Sequence, residues 1–270
     1  MGKTSSSKIA LTLFMSRMPA STRRVLQAAT GLAVTAALLL GCQALVYVHN
    51  PDALWQIVSQ SCVPSDAAGK GPGKCAKVSP DGYALLKDIR GKGQYLLMPT
   101  ARVAGMESPA LAQPGSPDYF RYAWENRDYV SRALNTHVPD ALMSLAINSA
   151  KGRSQNQLHI HIDCISQSMR NALSAYDDAA PGTWVDARLN DHLYRLTRVA
   201  SPTAAHVHPY ERVLSQAQAR GQAIGDHSLF MATAPGGFFV VDGYYQAHGP
   251  NANPGSSEEL QDHSCKDVGR

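Results

Sequence analysis

The chain has 270 residues, of which 44% are hydrophobic and 17% charged, a composition that excludes disordered, collagenous and coiled-coil proteins. Five of its 25 basic residues lie in the first 24 positions, and the first acidic residue is Asp52. The remainder holds 20 basic and 21 acidic residues, so its formal charge of −1 gives no reason to expect nucleic-acid binding.

An uncharged segment, residues 25–48, follows the basic tail 1–24. As a helix it is longer than the roughly 30 Å hydrocarbon core of a bilayer, and the positive-inside rule leaves the tail in the cytoplasm. We therefore expect an uncleaved single-pass anchor, with residues 49–270 forming one domain outside the cytoplasm. Two alternatives remain: a lipobox at Leu39-Leu40-Gly41-Cys42, in which Cys42 would be lipidated, and a buried core helix, which the cationic flank disfavours.

Four further cysteines, an even number, fit an oxidising compartment: Cys62, Cys75, Cys164 and Cys265. They allow three pairings, and we favour Cys62–Cys75, which closes a short Pro/Gly-rich loop, with Cys164–Cys265 tying the end of the chain to a central strand. Four free thiols are the alternative. A zinc cluster is less favoured, because the sequence has no C-x-x-C motif.

The hydrophobic pattern after residue 50 predicts alternating pairs of strands and single helices. The expected helices are 52–62, 116–137, 165–176, 209–221 and a short capped one at 256–265, and the expected strands are 83–89, 94–100, 141–149, 156–164, 184–189, 192–199, 228–234 and 237–245. The helix at 116–137 is the clearest, with Ser116 as its cap and Pro117 at its first position. Strands that arrive as adjacent pairs indicate an α+β fold with a mostly antiparallel sheet and flanking helices.

The strand at 156–164 carries the residues that are most informative about chemistry. Side chains alternate along a strand, so Leu158 and its alternates pack in the core while Gln157, His159, His161 and Asp163 share the other face. Two adjacent imidazoles after a Gly/Ser loop suit a phosphate, since a neutral imidazole is nucleophilic near pH 7 and loop N–H groups from Gly152 to Asn156 can bind phosphate oxygens.

Two other interpretations of this pattern stay open. His-x-His on a strand is also a zinc-ligand pattern, which then needs a third ligand such as His206, His208 or His263. The plainer alternative is a pair of surface histidines on a half-exposed strand. The second His-x-His, at His206 and His208, precedes Pro209 in a loop-like stretch and is better explained as surface residues.

Several blocks of sequence resemble known families. The run Ile147-Asn148-Ser149, Gly152-x-Ser154 and Leu158-His159-Ile160-His161-Ile162 resembles the signature of the histidine-triad superfamily of nucleotide hydrolases and transferases. More narrowly, the apolar anchor, the early cysteine pair, GYALLKD, QYLLMPT with Glu107-Ser108-Pro109, SLAINS, the HIHI-x-C strand and EELQDH-x-C are similar to bacterial CDP-diacylglycerol pyrophosphatase.

This resemblance implies a histidine-triad-like fold and a role for particular residues. His159 takes the place of the nucleophile that forms a covalent nucleotidyl-histidine, and His161 lies beside the phosphate. The implied phosphate-binding residues are Gly152, Ser154, Asn148 and Gln157, of which Gly152 and Ser154 match the phosphate-binding segment and Asn148 matches a strand asparagine. Arg102, Lys87 and His263 are lesser candidates for phosphate contact. Gln157 departs from the histidine-triad signature, whose first position is normally histidine, although a backbone carbonyl can orient the nucleophile there.

The implied reaction is hydrolysis of CDP-diacylglycerol to CMP and phosphatidate, without metal or other cofactor. The implied partners are that substrate and the lipid of the bacterial inner membrane, with the domain on the periplasmic side. The alternatives are a histidine-triad hydrolase or nucleotidyltransferase acting on another activated nucleotide, and a non-catalytic, membrane-tethered zinc- or ligand-binding protein. The sequence does not fix base or acyl-chain preference, or oligomeric state.

Overall fold

Nine strands form one sheet in the structure, a computed structural model that describes residues 50–269. Their order is β1-β2-β3-β5-β4-β8-β9-β7-β6, and every neighbouring pair is antiparallel. This confirms the mostly antiparallel sheet of the α+β prediction, whereas its histidine-triad-like character stays a prediction. The tail 1–24, the anchor 25–48 and Cys42 lie outside the described residues. Within 50–269, no helix is long and apolar enough to cross a membrane.

The strands follow the predicted positions, except that the strand expected at 156–164 begins only at Ile160, so that Gln157 and His159 precede it. Their bounds are β1 Lys77–Ser79, β2 Tyr83–Lys87, β3 Tyr95–Pro99, β4 Met143–Ile147, β5 Ile160–Cys164, β6 Val185–Leu189, β7 His192–Val199, β8 His227–Ala234 and β9 Gly237–Tyr244. The short β1 was not expected from the sequence. It pairs with β2 and extends the predicted hairpin by one strand.

The α-helices of the described part are short. They are α1 Ala53–Ile57, α2 Val63–Ala67, α3 Tyr119–Glu125, α4 Asp128–Leu134, α5 Gln167–Ser174 and α6 Pro209–Ala219. A π-helical turn, Val58–Cys62, joins α1 to α2. The predicted helix at 52–62 therefore continues to residue 67.

The helix predicted at 116–137 is wrong in two respects. Its cap is Asp118, whose carboxylate accepts a hydrogen bond from the N–H of Arg121, and not Ser116. It is also two helices, because the chain leaves helical geometry at Asn126. There the Asn126 side chain bonds to Lys77 and to the hydroxyl of Tyr83, so contacts with β1 and β2 fix the break.

The tail is the other correction. The capped helix expected at 256–265 is a single 3-10 turn, Ser257–Leu260, with no side-chain cap. The chain beyond it is held by contacts with the sheet: the N–H of Asp262 donates to the carbonyl of Cys164, and Gln261 donates to Ser144. We name residues 256–265 the C-terminal segment.

The sheet is covered on both faces. Leu158, Ile160 and Ile162 belong to the main core, which includes Phe120 of α3 and Val130 of α4. On the opposite face, Val58 packs with Leu96 and Met98 of β3. The register pairs Leu96 with His161, so the histidines lie on this second face, where the C-terminal segment also docks.

Both disulfides have the predicted pairing. Cys62–Cys75 closes a loop of sequence separation 13, and Cys164–Cys265 spans 101 residues. The second joins the end of β5 to the end of the C-terminal segment. The bond therefore fixes this segment next to β5, which carries His161 and begins directly after His159.

Candidate functional site

The sheet register gathers polar side chains from three neighbouring strands. Residues that pair directly across an antiparallel ladder point to the same face. Asp163 pairs with Ser144, and His161 pairs with Leu96 on one side and Ala146 on the other. Gln94 and Asn148 continue the same alternation beyond these pairs, so both lie on the histidine face. The polar face predicted for the strand is therefore present.

His159 is held in one orientation by the backbone. Its Nδ1 lies 2.6 Å from the carbonyl oxygen of Gln157, two residues earlier. A carbonyl oxygen only accepts hydrogen bonds, so Nδ1 carries the proton and Nε2 holds a free lone pair. No described residue bonds to Nε2. Burial lowers the pKa of His159, so the ring is neutral near pH 7.

His161 presents the opposite tautomer. The side-chain nitrogen of Gln94 bonds to its Nδ1, which makes Nδ1 the acceptor and leaves the proton on Nε2. That Nε2 is buried and has no hydrogen-bond partner in the described part of the chain. Burial is the largest influence on its pKa, which is lowered to about 3. The site thus combines a neutral donor, Nε2–H of His161, with a neutral acceptor, Nε2 of His159.

The two rings lie edge to face beside each other. Their centroids are 4.9 Å apart, with an angle of 66° between the ring planes. His159 and His161 retain 6% and 4% of their accessible surface. A phosphate group that reaches Nε2 of His159 therefore also lies close to His161.

The C-terminal segment adds a carboxylate that the sequence prediction missed. Oε2 of Glu258 lies 3.0 Å from the side-chain nitrogen of Asn148 and 3.5 Å from Nε2 of His161. Burial by itself raises the pKa of Glu258, but the hydrogen bonds from His263 and Asn148 outweigh it and hold the pKa below the usual range. Glu258 is therefore a carboxylate at neutral pH.

His263 connects this carboxylate to a second one. Its Nδ1 lies 2.7 Å from Oδ2 of Asp163, which is fully buried, and its Nε2 lies 3.3 Å from Oε1 of Glu258. These two hydrogen bonds raise the pKa of His263 to about 10, so the ring is an imidazolium at neutral pH. His263, a lesser candidate in the sequence, lies beside the histidine pair.

The loop between β4 and β5 uses most of its predicted phosphate-binding amides internally. The N–H groups of Gly152 and Arg153 both donate to the carbonyl of Ser149, and the N–H of Asn156 donates to Pro51. A Cβ at Gly152 would lie 2.3 Å from the carbonyl oxygen of Gly255, so a glycine is required there for close packing. Ser154 lies exposed on the same loop.

Two other predicted phosphate ligands bond elsewhere. The side-chain nitrogen of Gln157 donates to the carbonyls of Pro99 and Ala101, and its oxygen accepts from the N–H of Val103. The Asn148 oxygen accepts from the N–H of Glu258, to which its nitrogen also donates. Gln157 therefore fixes the chain after β3, and Asn148 fixes the C-terminal segment.

The remaining candidate cations are also engaged. Arg102 forms an ion pair with Asp52 at 2.5 Å, and Lys87 donates to the carbonyls of Asp88 and Gly91. Arg153, which the sequence prediction did not single out, forms a two-pronged pair with Glu107 at 2.5 and 2.8 Å. These cations stabilise the loops that surround the site.

The signal that could have found Glu258 is the block EELQDH-x-C. Cys265, at the end of this block, is disulfide-bonded to Cys164 at the end of β5. The predicted pairing of these two cysteines therefore brings the block next to His161 and Asp163. Gln94 carries no such signal. Among residues 50–269, one group offers three potential metal-ligand atoms within 4.8 Å, namely Asp163, Cys164 and Cys265, and its two sulfurs are bonded to each other.

A comparison with known protein families gives a match over most of the chain. A family model described as CDP-diacylglycerol pyrophosphatase matches residues 49–268. The match covers both histidines, the loop between β4 and β5, and Glu258 and His263 of the C-terminal segment.

Proposed function

The chain belongs to the CDP-diacylglycerol pyrophosphatase family and is a hydrolase, and from this premise we propose that it cleaves CDP-diacylglycerol to CMP and phosphatidate through a cytidylyl group carried on His159. The observation that carries the proposal is the fixed tautomer of His159. The Gln157 carbonyl keeps the proton on Nδ1 and leaves Nε2 free to bond to phosphorus.

The first step forms a bond between Nε2 of His159 and the cytidylyl phosphorus. The bond from that phosphorus to the bridging oxygen breaks, and phosphatidate leaves with the electron pair. The positive charge that develops on the imidazole is stabilised by the carbonyl of Gln157 at 2.6 Å. Water then attacks the phosphorus, CMP leaves, and the lone pair returns to Nε2.

His161 supports the charge on phosphate oxygens in this scheme. Its Nε2–H is a buried donor that lacks a partner in the described residues, and an unpaired buried donor is costly until it finds an acceptor. A phosphate oxygen supplies that acceptor. Ser154, exposed on the adjacent loop, is the remaining candidate of the phosphate-binding segment.

We also propose that the enzyme works at the membrane that holds its lipid substrate, the bacterial inner membrane, with the domain on the periplasmic side. The uncharged segment 25–48 and the basic tail before it support this orientation. The loop between β2 and β3 adds a structural reason: Ile89 is 84% exposed, and the N–H of Lys92 in the same loop donates to the carbonyl of His263. An apolar tip thus lies beside the site.

The substitution His159→Ala tests the proposed function. We expect loss of CDP-diacylglycerol hydrolysis in the full-length protein with its fold intact, since the ring is the nucleophile and makes one backbone hydrogen bond. His206→Ala is the control, because His206 is exposed in a separate 3-10 turn. Rapid quenching of the unmodified enzyme should yield acid-labile CMP on His159, whereas full activity of His159→Ala would contradict the proposal.

A further inference from the structure

Glu258 has surroundings that a merely structural carboxylate would not need. Its Oε1 faces Nε2 of His263 at 3.3 Å and the side-chain nitrogen of Gln94 at 3.5 Å. Its Oε2 accepts from Asn148 at 3.0 Å and faces Nε2 of His161 at 3.5 Å without forming a hydrogen bond to it. His263, Asn148 and Gln94 thus hold the carboxylate in place, and its Oε2 faces the ring of His161, which lies beside His159.

We propose that Glu258 is the general base of the second half-reaction, the residue that accepts a proton from the water that releases CMP from His159. This inference rests on the proposed function, because it assigns a role within the same covalent scheme. It extends the reaction to a residue on a segment that lies about a hundred residues after the histidine strand.

In this half-reaction one water proton moves to Glu258 and one electron pair returns to His159. The water oxygen bonds to phosphorus, and one water proton passes to a Glu258 carboxylate oxygen. The phosphorus–Nε2 bond breaks, and its electron pair returns to His159. CMP leaves with the oxygen that came from water bonded to its phosphorus. Glu258 then gives its proton to the solvent. The protein is regenerated without an oxidant, a reductant or any further reactant.

His263 is the positioning residue for this base. It bonds to Asp163 through Nδ1 and to Glu258 through Nε2, so the three side chains form an anion–cation–anion row. The imidazolium keeps the carboxylate ionised and fixes its direction. Burial raises the pKa of the Asp163 carboxyl, and the hydrogen bond from His263 opposes that rise. Because the Asp163 side chain is fully buried in β5, the row is anchored in the sheet.

The groups around the pair include other charges from each packed element. Arg90 and Asp88 come from the loop between β2 and β3, and Arg153 comes from the loop between β4 and β5; their charges reach His161 or His159. Arg153 is itself neutralised by Glu107. His263 is the one cation, among the described residues, that bonds to the Glu258 carboxylate.

The decisive variant is Glu258→Gln in the full-length enzyme, with Glu259→Gln as the matched control. Glu259 is the next residue of the same 3-10 turn, but its carboxylate bonds to Tyr194 and His192. We expect Glu258→Gln to lower steady-state hydrolysis by about 10²-fold, the usual scale for one general base, while the cytidylyl group accumulates on His159. Azide, which needs no deprotonation to attack phosphorus, should restore turnover and yield a cytidylyl azide.

A different distribution of defects would overturn the inference. If formation of the adduct slows as much as its hydrolysis, or if azide gives no rescue, Glu258 only shapes the site. Formation of the adduct also reports that the variant is folded. If the unmodified enzyme itself hydrolyses the substrate without any adduct, the proposed function fails first, and the two failures are thereby distinguished.

His263→Gln tests the positioning role separately. Loss of the imidazolium raises the pKa of the Glu258 carboxyl, and a base is lost as pH falls through its pKa. The acid limb of the pH–kcat profile should therefore move to higher pH, with the limb unmoved in Glu259→Gln. An unmoved limb in His263→Gln would show that His263 does not control the base.

Discussion

At position 157 the backbone and the side chain have separate tasks. The carbonyl accepts a hydrogen bond from Nδ1–H of His159, whereas the side-chain amide bonds to backbone atoms of Pro99, Ala101 and Val103. A histidine at this position, as in the histidine-triad signature that the sequence resembles, is therefore not needed to orient His159. The sequence predicts a phosphate ligand at Gln157. To fill that role, the side-chain amide would have to break its hydrogen bonds to all three backbone partners.

The substitution Gln157→Ala tests this division of tasks. The change leaves buried carbonyls and one N–H unpaired, so the free energy of unfolding should fall by about 1–3 kcal/mol. The kcat of the folded fraction should remain close to that of the unmodified enzyme. Denaturant unfolding and steady-state assays on the same preparation check both. Loss of activity at unchanged stability would instead support a phosphate ligand.

The ionisation of His263 makes stability depend on pH. Its pKa is raised from the usual 6.5 to about 10 by Asp163 and Glu258. The stabilisation is therefore fully present below about pH 6.5, where the unfolded chain is also protonated, and is lost as pH rises towards 10. The free energy of unfolding should therefore decrease as pH rises across that range, and the decrease should be smaller in His263→Gln. Parallel curves for the two proteins would contradict the assignment of charge.

The sequence predicts which neighbouring residues share a face of the sheet. It does not predict which residues distant in sequence join them there. Strand alternation puts His159 and His161 on one face, because the period of two is local. Glu258 and Gln94 also lie on that face and contact each other, although 164 positions separate them in the sequence. No local period encodes such a contact.

Apart from one 3-10 turn, the C-terminal segment has no regular structure, and bonds to the sheet hold it in place. Besides the disulfide, three hydrogen bonds hold the segment. Ser257 bonds to Ser228, Gln261 donates to Ser144, and the carbonyl of His263 accepts from the N–H of Lys92. These contacts position Glu258 and His263, so the segment is as much a part of the site as the histidine strand.

Removing each disulfide should separate stability from activity. Loss of either native disulfide costs about 2–5 kcal/mol. The double variant Cys164→Ser with Cys265→Ser should also lose most of its kcat, because the segment that carries Glu258 loosens. The matched pair Cys62→Ser with Cys75→Ser should retain kcat at temperatures where it is folded. Equal loss of kcat in both would show that the segment is held without its disulfide.

The hairpins were predictable as elements, and the helix break was not. β2 and β3 are apolar runs around a Gly-rich turn, so both signals are local. The break at Asn126 depends on Lys77 and Tyr83, which are more than 40 residues away. The tail gave the pattern of a capped helix, yet its contacts with β4 and β5 replace helical hydrogen bonds.

For the whole molecule, the proposed membrane location makes a prediction about substrate presentation. Ile89 and Tyr244 are the large apolar side chains exposed in residues 50–269, and Ile89 belongs to the loop whose Lys92 N–H donates to the carbonyl of His263. Burial of an isoleucine in lipid favours binding by about tenfold or more. Ile89→Ser should therefore raise the KM for CDP-diacylglycerol in phosphatidylcholine–phosphatidylglycerol vesicles by about tenfold.

Two comparisons control this experiment. Tyr244→Ser should leave the KM on vesicles unchanged, and Ile89→Ser should act normally on a short-chain, water-soluble CDP-diacylglycerol. If Ile89→Ser raises the KM equally on vesicles and on the soluble analogue, the loop contacts the substrate and not the bilayer. An unchanged KM on vesicles would remove the proposed lipid contact.

The covalent cytidylyl-His159 is tested most directly by the stereochemistry at phosphorus. CDP-diacylglycerol made chiral at the cytidylyl phosphorus with sulfur is hydrolysed in ¹⁸O-labelled water, and the configuration of the thio-CMP product is determined. Two successive in-line displacements, first by His159 and then by water, predict retention. Inversion would mean that water attacks the substrate directly, and it would contradict the account.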